Sequence, residues 1–133
     1  MKTGKTKTMR IGKMKTDFKS LYESQLEYQK MITGETLPRD CLKYFCYHIQ
    51  AMVEELGEVM KADKRWKTHR NIRYVPQEKL DELADVFITA INLAIFSGIS
   101  AEELYNGIQS KINENNQRWI KEKENKKERS EHE

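Results

Sequence analysis

The most constraining feature of the sequence is the long stretch between its only prolines, Pro38 and Pro76, in which apolar residues recur every three or four positions. This spacing puts the apolar side chains on one face of an α-helix, and it predicts a helix from about Pro38 to about Trp66. Proline is tolerated in the first turn of a helix, so Pro38 fits the predicted start. The apolar positions are Leu42, Phe45, Cys46, Ile49, Met52, Val53, Leu56, Val59 and Met60.

Helices are also predicted on both sides of this segment. Gly34 and Gly98 stand where a left-handed residue would end a helix, and Ser100 with Glu103 forms a capping-box pattern that starts one. Runs of alternating Val, Ile and Thr, which are typical of strands, are absent. The sequence therefore predicts an all-α, four-helix bundle with helices at about residues 17–32, 38–66, 76–97 and 101–120.

The charge distribution divides the chain into three parts. Its 133 residues, 38% hydrophobic and 34% charged, suffice for one domain. Residues 1–16 contain six basic residues and no acidic one, and we expect them to form a disordered arm. Residues 121–133 are evenly charged and almost without apolar residues, which predicts a helix end passing into a solvated tail. Residues 17–120 are left as the folded domain.

Several classes of protein are excluded on composition. No uncharged run is long and apolar enough to span a bilayer, and no apolar stretch follows the basic arm as in a secretory signal. Cys41 and Cys46 lack the spacing of a zinc site and indicate a reducing compartment, so we expect a cytoplasmic protein without membrane contact. The arm has no aromatic residue for base stacking, so nucleic-acid binding is not expected.

The predicted third helix is apolar in nearly every direction between residues 86 and 96, where only Thr89 and Asn92 interrupt the apolar residues. A four-helix bundle normally leaves one face of each helix in water. We therefore expect a second copy of the chain to cover the surplus apolar surface, in a homodimer or homotetramer.

Two helices carry pairs of acids. Glu55 and Glu58 are three residues apart, as are Glu82 and Asp85, so each pair lies on one flank of its helix. If the flanks face each other, up to four negative charges meet, which requires protonation or a cation. Carboxylates suit Mg²⁺, with Mn²⁺ as an alternative. The simpler interpretation is that these acids are solvated and paired with neighbours such as Lys61 or Lys79.

The fourth helix presents Lys111, Asn115 and Arg118 on one face. Arginine can contact two phosphate oxygens at once, and lysine and asparagine can donate to others, so this face could bind phosphates. A solvated lysine-rich helix end explains the triplet equally well.

Taken together, these residues resemble the MazG-like nucleoside triphosphate pyrophosphohydrolases, an all-α superfamily that includes the dimeric dUTPases. The resemblance covers about residues 40–120 and rests on EExxE at 54–58, ExxD at 82–85 and KxxxNxxR at 111–118. It implies a four-helix bundle completed by homo-oligomerisation. It also implies Mg²⁺-dependent hydrolysis of a nucleoside triphosphate to the monophosphate and pyrophosphate, by attack of water at the α-phosphate.

The resemblance also assigns expected roles to individual residues. The metal ligands would be Glu55, Glu58, Glu82 and Asp85. Either Glu54 or Glu55 would be the catalytic base. The substrate would be bound by Lys111, Asn115, Arg118 and Lys64, with Trp66 stacking on the base if the second helix extends that far.

Three other functions compete with the enzyme. The chain could be a non-catalytic helical module for oligomerisation or nucleotide-binding regulation. The second alternative, a ferritin-like carboxylate protein, is disfavoured. Such a protein needs Glu-x-x-His pairs, and neither His48 nor His69 follows such a glutamate. An adaptor that binds nucleic acid through the basic arm is the third.

Overall fold

The computed structural model describes residues 3–71 and 73–132, with residues 3–11 and 14 described by their backbone alone. Four helices, α1 (Thr3–Thr33), α2 (Leu42–Ala62), α3 (Pro76–Ile95) and α4 (Ala101–His132), are joined by short segments, one of which contains a 3-10 turn at Lys64–Trp66. Within these ranges the only β-type pairing is an isolated bridge between Asp40 and Ser97. The predicted all-α class with four helices is confirmed.

Helices α2 and α3 form the central pair. They run antiparallel, because the start of α2 lies beside the end of α3, where Cys41 donates its backbone N–H to the carbonyl of Phe96. At the opposite end, Lys79 of α3 reaches Asp63, the residue that ends α2. Helix α1 packs against α3 and α4. The acidic segments of α2 and α3 are thus held side by side in the middle of the pair.

The buried core is small and lies where α1, the end of α3 and the start of α4 meet. Ile95 and Phe96 are fully buried, and Tyr22 of α1 packs with them. The Tyr22 hydroxyl donates a 2.6 Å hydrogen bond to the carbonyl of Ile99, and burial raises the pKa of Tyr22 to about 12. Aromatic rings of α2 complete this end, since Tyr44 stacks on Phe96 at 5.1 Å.

The predicted start of α2 at Pro38 is wrong, because the helix begins at Leu42. The segment before it uses its backbone groups elsewhere: Arg39 and Cys41 donate N–H groups to the carbonyls of Ile95 and Phe96. Extended backbone paired with the end of α3 cannot also close helical turns. The Leu37–Pro38 peptide bond in this segment is cis.

The outer helices are both longer than predicted. Helix α1 begins at Thr3 instead of about Asp17. Residues 3–16 of the expected disordered arm are thus helical in their backbone, while Met1, Lys2 and the side chains of Lys5, Lys7 and Arg10 lie outside the described residues. Helix α4 continues to His132, whereas a tail was predicted beyond residue 120. Residues 121–132 contain neither glycine nor proline and are rich in Lys and Glu, which favour helix even when fully exposed.

Burial of α3 on all sides is not reached within one chain. Its last turns are buried, but the side chain of Phe87 is 65% exposed and that of Leu80 57% exposed. Helix α2 likewise leaves Val53 67% and Met60 54% exposed. The described residues include no helix long and apolar enough to cross a membrane.

Three of the predicted helix ends are confirmed, at Gly34, Gly98 and Ser100. Gly34 and Gly98 adopt φ of +69° and +71°. Ser100 and Glu103 exchange hydrogen bonds between side chain and backbone N–H at 3.1 and 3.2 Å, which is the capping box.

Replacing Gly98 by alanine should destabilise the protein more than the same change at Gly34. Both substitutions force alanine into the left-handed region, at a cost of about 1–2 kcal/mol. At Gly98 the new Cβ would also lie 3.3 Å from the backbone nitrogen of Asp40, whereas at Gly34 nothing lies within 4 Å. Urea denaturation of both variants measures the difference in the free energy of unfolding. Equal losses would contradict the close approach of residues 39–40 to Gly98.

Candidate metal centre between helices α2 and α3

Three carboxylates from two helices converge in the middle of the central pair. Glu55 of α2 and Glu82 and Asp85 of α3 each offer an oxygen, and these oxygens lie within 4.8 Å of one another. The spacing of three residues puts Glu82 and Asp85 on the same flank of α3, and the antiparallel packing brings Glu55 opposite them. We call these three residues the acidic cluster.

The acidic cluster carries uncompensated negative charge. Partial burial raises the pKa of Glu55, and the nearby carboxylates of Asp85 and Glu82 raise it further. Among the described residues, no ion pair includes a member of the cluster. Thr89 lies one turn beyond Asp85, but its hydroxyl donates to the backbone carbonyl of Asp85 and leaves the carboxylate free.

The donor set of the acidic cluster fits a hard divalent cation. Mg²⁺ takes oxygen ligands at about 2.1 Å in octahedral geometry and keeps several waters, so two or three carboxylates suffice. Oxygens on one such ion are about 3–4 Å apart, which small side-chain rotations reach from the observed separation. Asp85 is exposed and Glu55 and Glu82 are half-buried, so waters and a phosphate could complete the coordination shell.

The other two acids of α2 lie outside the acidic cluster. Glu58 pairs instead with Lys61 at 3.3 Å, one of the neutralising contacts considered in the simpler interpretation. Glu54 is exposed and adjacent to Glu55, and its charge contributes to the raised pKa of Glu55. The structure therefore brings together three of the four predicted ligands.

Lys64 and Trp66 do not continue α2, because the helix ends at Ala62 and they form the 3-10 turn. The condition under which Trp66 would share a flank with the acids is therefore not met. Its indole N–H donates to the carbonyl of Met60 at 3.0 Å, which folds the ring back on the last turn of α2. Both Lys64 and Trp66 remain exposed, about two turns from Glu55.

The turn after α2 is fixed by a network that the sequence reasoning missed. Asp63 accepts hydrogen bonds from Arg65 at 2.7 and 2.8 Å and from Lys79 at 3.1 Å. The hydrogen bonds from Arg65 hold the pKa of Asp63 well below its ordinary range. Arg65 also lies over the ring of Tyr74, 3.9 Å from its centroid. Lys79, considered above as a partner of the acidic cluster, is thus bound to Asp63.

The predicted phosphate-binding residues are far along α4. Lys111 and Arg118 are exposed, and both pair with Glu114, at 3.3 and 3.6 Å. Asn115 is exposed beside them. The extensive contacts of α4 are with α1, whereas the acidic cluster lies between α2 and α3.

The hydrogen-bond partners of Asn92 were also not predicted. Asn92 of α3 is buried, and its side-chain oxygen accepts hydrogen bonds from Gln25 at 2.8 Å and from Gln29 at 3.2 Å. The available signal was Gln29 itself, which follows Tyr22 and Leu26 at helical spacing on the buried face of α1.

Comparison with known proteins gives no match. No protein-family model fits the chain, and neither a curated protein nor a solved structure is significantly similar to it.

The stability of the metal-free protein should fall as pH rises past the ordinary carboxyl pKa of 4.5. The pKa of Glu55 is higher in the folded than in the unfolded state, so folding binds protons in this range and is weakened as they leave. Above the raised pKa the loss should level off. Urea denaturation in EDTA measures this, and Glu55→Gln should remove part of the decline while Glu124→Gln, on exposed α4, should not. An unchanged decline in Glu55→Gln would contradict the crowding of these acids.

Proposed function

We propose that the protein is a Mg²⁺-dependent nucleoside triphosphate pyrophosphohydrolase, which converts a ribo- or deoxyribonucleoside triphosphate to its monophosphate and pyrophosphate. The observation that carries the proposal is the convergence of Glu55, Glu82 and Asp85 without a cationic partner among the described residues. The similarity of EExxE and ExxD to the MazG-like motifs supports the reaction type. Glu55, Glu82 and Asp85 would hold the ion, and Glu58 would join them only after leaving Lys61.

In this reaction a water oxygen attacks the α-phosphorus, and the bond from that phosphorus to the bridging oxygen breaks. When bound, Mg²⁺ supplies positive charge that neutralises phosphate oxygens. A carboxylate must take the proton that the water loses, and Glu54 and Glu55 are the candidates. Glu54 is exposed and free of ion pairs among the described residues, while Glu55 is half-buried beside Glu82 and Asp85.

The cations for the departing pyrophosphate are proposed to come from two places. Lys64 is exposed in the turn that follows Ala62, the last residue of α2, which lies about 10 Å beyond Glu55 along the helix axis. Lys111, Asn115 and Arg118 would reach the acidic cluster from a second copy, because α4 packs on α1 within its own chain. The ion pairs of Lys111 and Arg118 with Glu114 are exposed and weak, so a phosphate can displace them.

Self-association is proposed because large apolar side chains of the central helix pair remain in water. They include Val53, Met60, Leu80 and Phe87, each more than half exposed. Monomeric proteins seldom leave such surface uncovered. The same observation favours a second candidate function, a helical oligomerisation or nucleotide-binding regulatory module without catalysis.

Incubation with Mg²⁺ and each common nucleoside triphosphate should release pyrophosphate and the monophosphate. Glu55→Gln and Asp85→Asn should each lower kcat/KM by roughly 100-fold or more, since each removes a ligand. The matched control is Asp81→Asn on α3, because Asp81 is exposed and accepts a hydrogen bond only from Gln77 among the described residues. Phosphate-specific and pyrophosphate-specific assays distinguish the two leaving groups.

Two results would contradict the proposed pyrophosphohydrolase activity. Release of orthophosphate would place the attack at the γ-phosphorus. Absence of product from any nucleotide, in a folded sample that self-associates in sedimentation velocity, would favour the non-catalytic module.

A further inference from the structure

A cavity of about 270 Å³ opens between α1 and α2, away from the acidic cluster. Gln29 and Ile32 of α1 line one side, and Tyr44, Tyr47 and His48 of α2 line the other. Pockets for drug-sized ligands measure roughly 300–1,000 Å³. This cavity therefore suits a single planar heterocycle better than a whole nucleotide.

One buried group in this wall lacks a partner. Gln29 is 2% exposed, and its amide N–H donates to Asn92 at 3.2 Å. The amide oxygen of the same side chain is buried and accepts no hydrogen bond, alone in this respect among the side chains of the described residues. A buried acceptor without a donor costs stability. The oxygen is not exposed to the cavity as the side chain stands, so a ligand in the cavity can supply the donor only after the amide of Gln29 turns towards it.

The other walls provide aromatic surface. His48 is buried, stacks on Phe96 at 5.1 Å and meets Tyr47 edge-on at 5.0 Å. Burial lowers the pKa of His48, so at neutral pH its ring is uncharged, with one N–H donor and one acceptor. The ring of Tyr47 is held at the rim of the cavity, where its side chain is 65% exposed. Aromatic side chains can stack on any of the nucleobases.

The position of the cavity relates it to the acidic cluster. His48 and Glu55 lie seven residues apart on the same flank of α2, a rise of about 10 Å along the helix. A sugar with its α-phosphate can span this distance. On α3, Asp85, Thr89 and Asn92 form a parallel polar column that connects the acidic cluster with Gln29.

We propose that this cavity binds the nucleobase of the nucleotide whose phosphates reach the acidic cluster, and that the Gln29 amide turns on binding so that its oxygen accepts a hydrogen bond from an amino group or ring N–H of the base. The assignment rests on the proposed function for the identity of the ligand. It makes Gln29 and Tyr47 determinants of base preference, with no part in the chemical step.

The first test measures binding without hydrolysis. Each of the four common deoxynucleosides is added in EDTA, and NMR signals of the Gln29 side-chain amide, Tyr47 and His48 are followed. At least one nucleoside should shift these signals at millimolar concentration. Tyr47→Ala and Gln29→Met should weaken that binding about tenfold, from lost stacking and a lost hydrogen bond. Tyr28→Ala, an exposed tyrosine of α1 that does not line the cavity, is the control.

The second test uses turnover of the preferred triphosphate. Tyr47→Ala and Gln29→Met should raise KM about tenfold and leave kcat within about twofold, because they remove binding that is equal in ground and transition states. Gln29→Met should not lower the melting temperature, since it removes an unpartnered buried oxygen and Gln25 still donates to Asn92. If Gln29→Met nevertheless unfolds, Tyr47→Ala decides, because that ring is largely exposed.

The outcomes separate this proposal from the proposed function. If nucleosides bind in the cavity but the protein hydrolyses no triphosphate, the base-binding site is supported and the proposed enzymatic function is contradicted. If both variants hydrolyse the triphosphate with the wild-type KM, and no nucleoside or monophosphate shifts the NMR signals of the cavity, the base-binding site is contradicted. The proposed enzymatic function would then still stand.

Discussion

The repulsion among Glu55, Glu82 and Asp85 is the interaction that the central helix pair must withstand. Like charges within 4.8 Å push α2 and α3 apart, and in the described residues no cation opposes them. The two helices nevertheless have the most extensive contacts of any helix pair in the described residues, and hydrogen bonds fix both of their ends. Residues 39–41 donate backbone hydrogen bonds to the last carbonyls of α3, and Lys79 ties the start of α3 to Asp63. The acids are therefore positioned by contacts in which they take no part, as in a preorganised cation site.

Buried polar side chains lie between α3 and α1. Asn92 is buried where α3 meets α1, and two glutamines of α1 donate to it. Through Asn92, helix α1 is linked to the polar column of α3, in which Thr89 and Asp85 follow towards the acidic cluster. Apolar packing of the central pair is incomplete in one chain, because much of its apolar surface stays in water. A second copy would add that packing and bring basic residues of α4 within reach.

Local features of the fold could be predicted from the sequence. The left-handed glycines Gly34 and Gly98 and the capping box at Ser100 depend on neighbouring residues, and the structure confirms them. The bounds of α2 could not be predicted, because both depend on long-range contacts with α3. The full length of α4 could not be predicted for a different reason. The high charge content of its last part indicates a solvated tail, whereas the helix propensity of Lys and Glu favours a helix.

The acidic cluster could be predicted in part. The spacing of three residues correctly placed Glu82 and Asp85 on one flank, opposite Glu55. Which of Glu55 and Glu58 turns inward depends on the rotation of α2 about its axis, which spacing does not fix. Gln29 could not be assigned at all, because only the tertiary structure shows that its oxygen is buried without a donor.

In the proposed function, α2 and α3 position the acidic cluster to hold a divalent cation. Paramagnetic Mn²⁺, titrated into isotopically labelled protein, tests this directly, because it broadens NMR signals close to its site. We expect saturable broadening that begins at the amides around Glu55 and Asp85, is reversed by excess Mg²⁺ and is lost in Glu55→Gln. Broadening spread over the exposed acids of α4, with the signals around Glu55 unaffected, would contradict it.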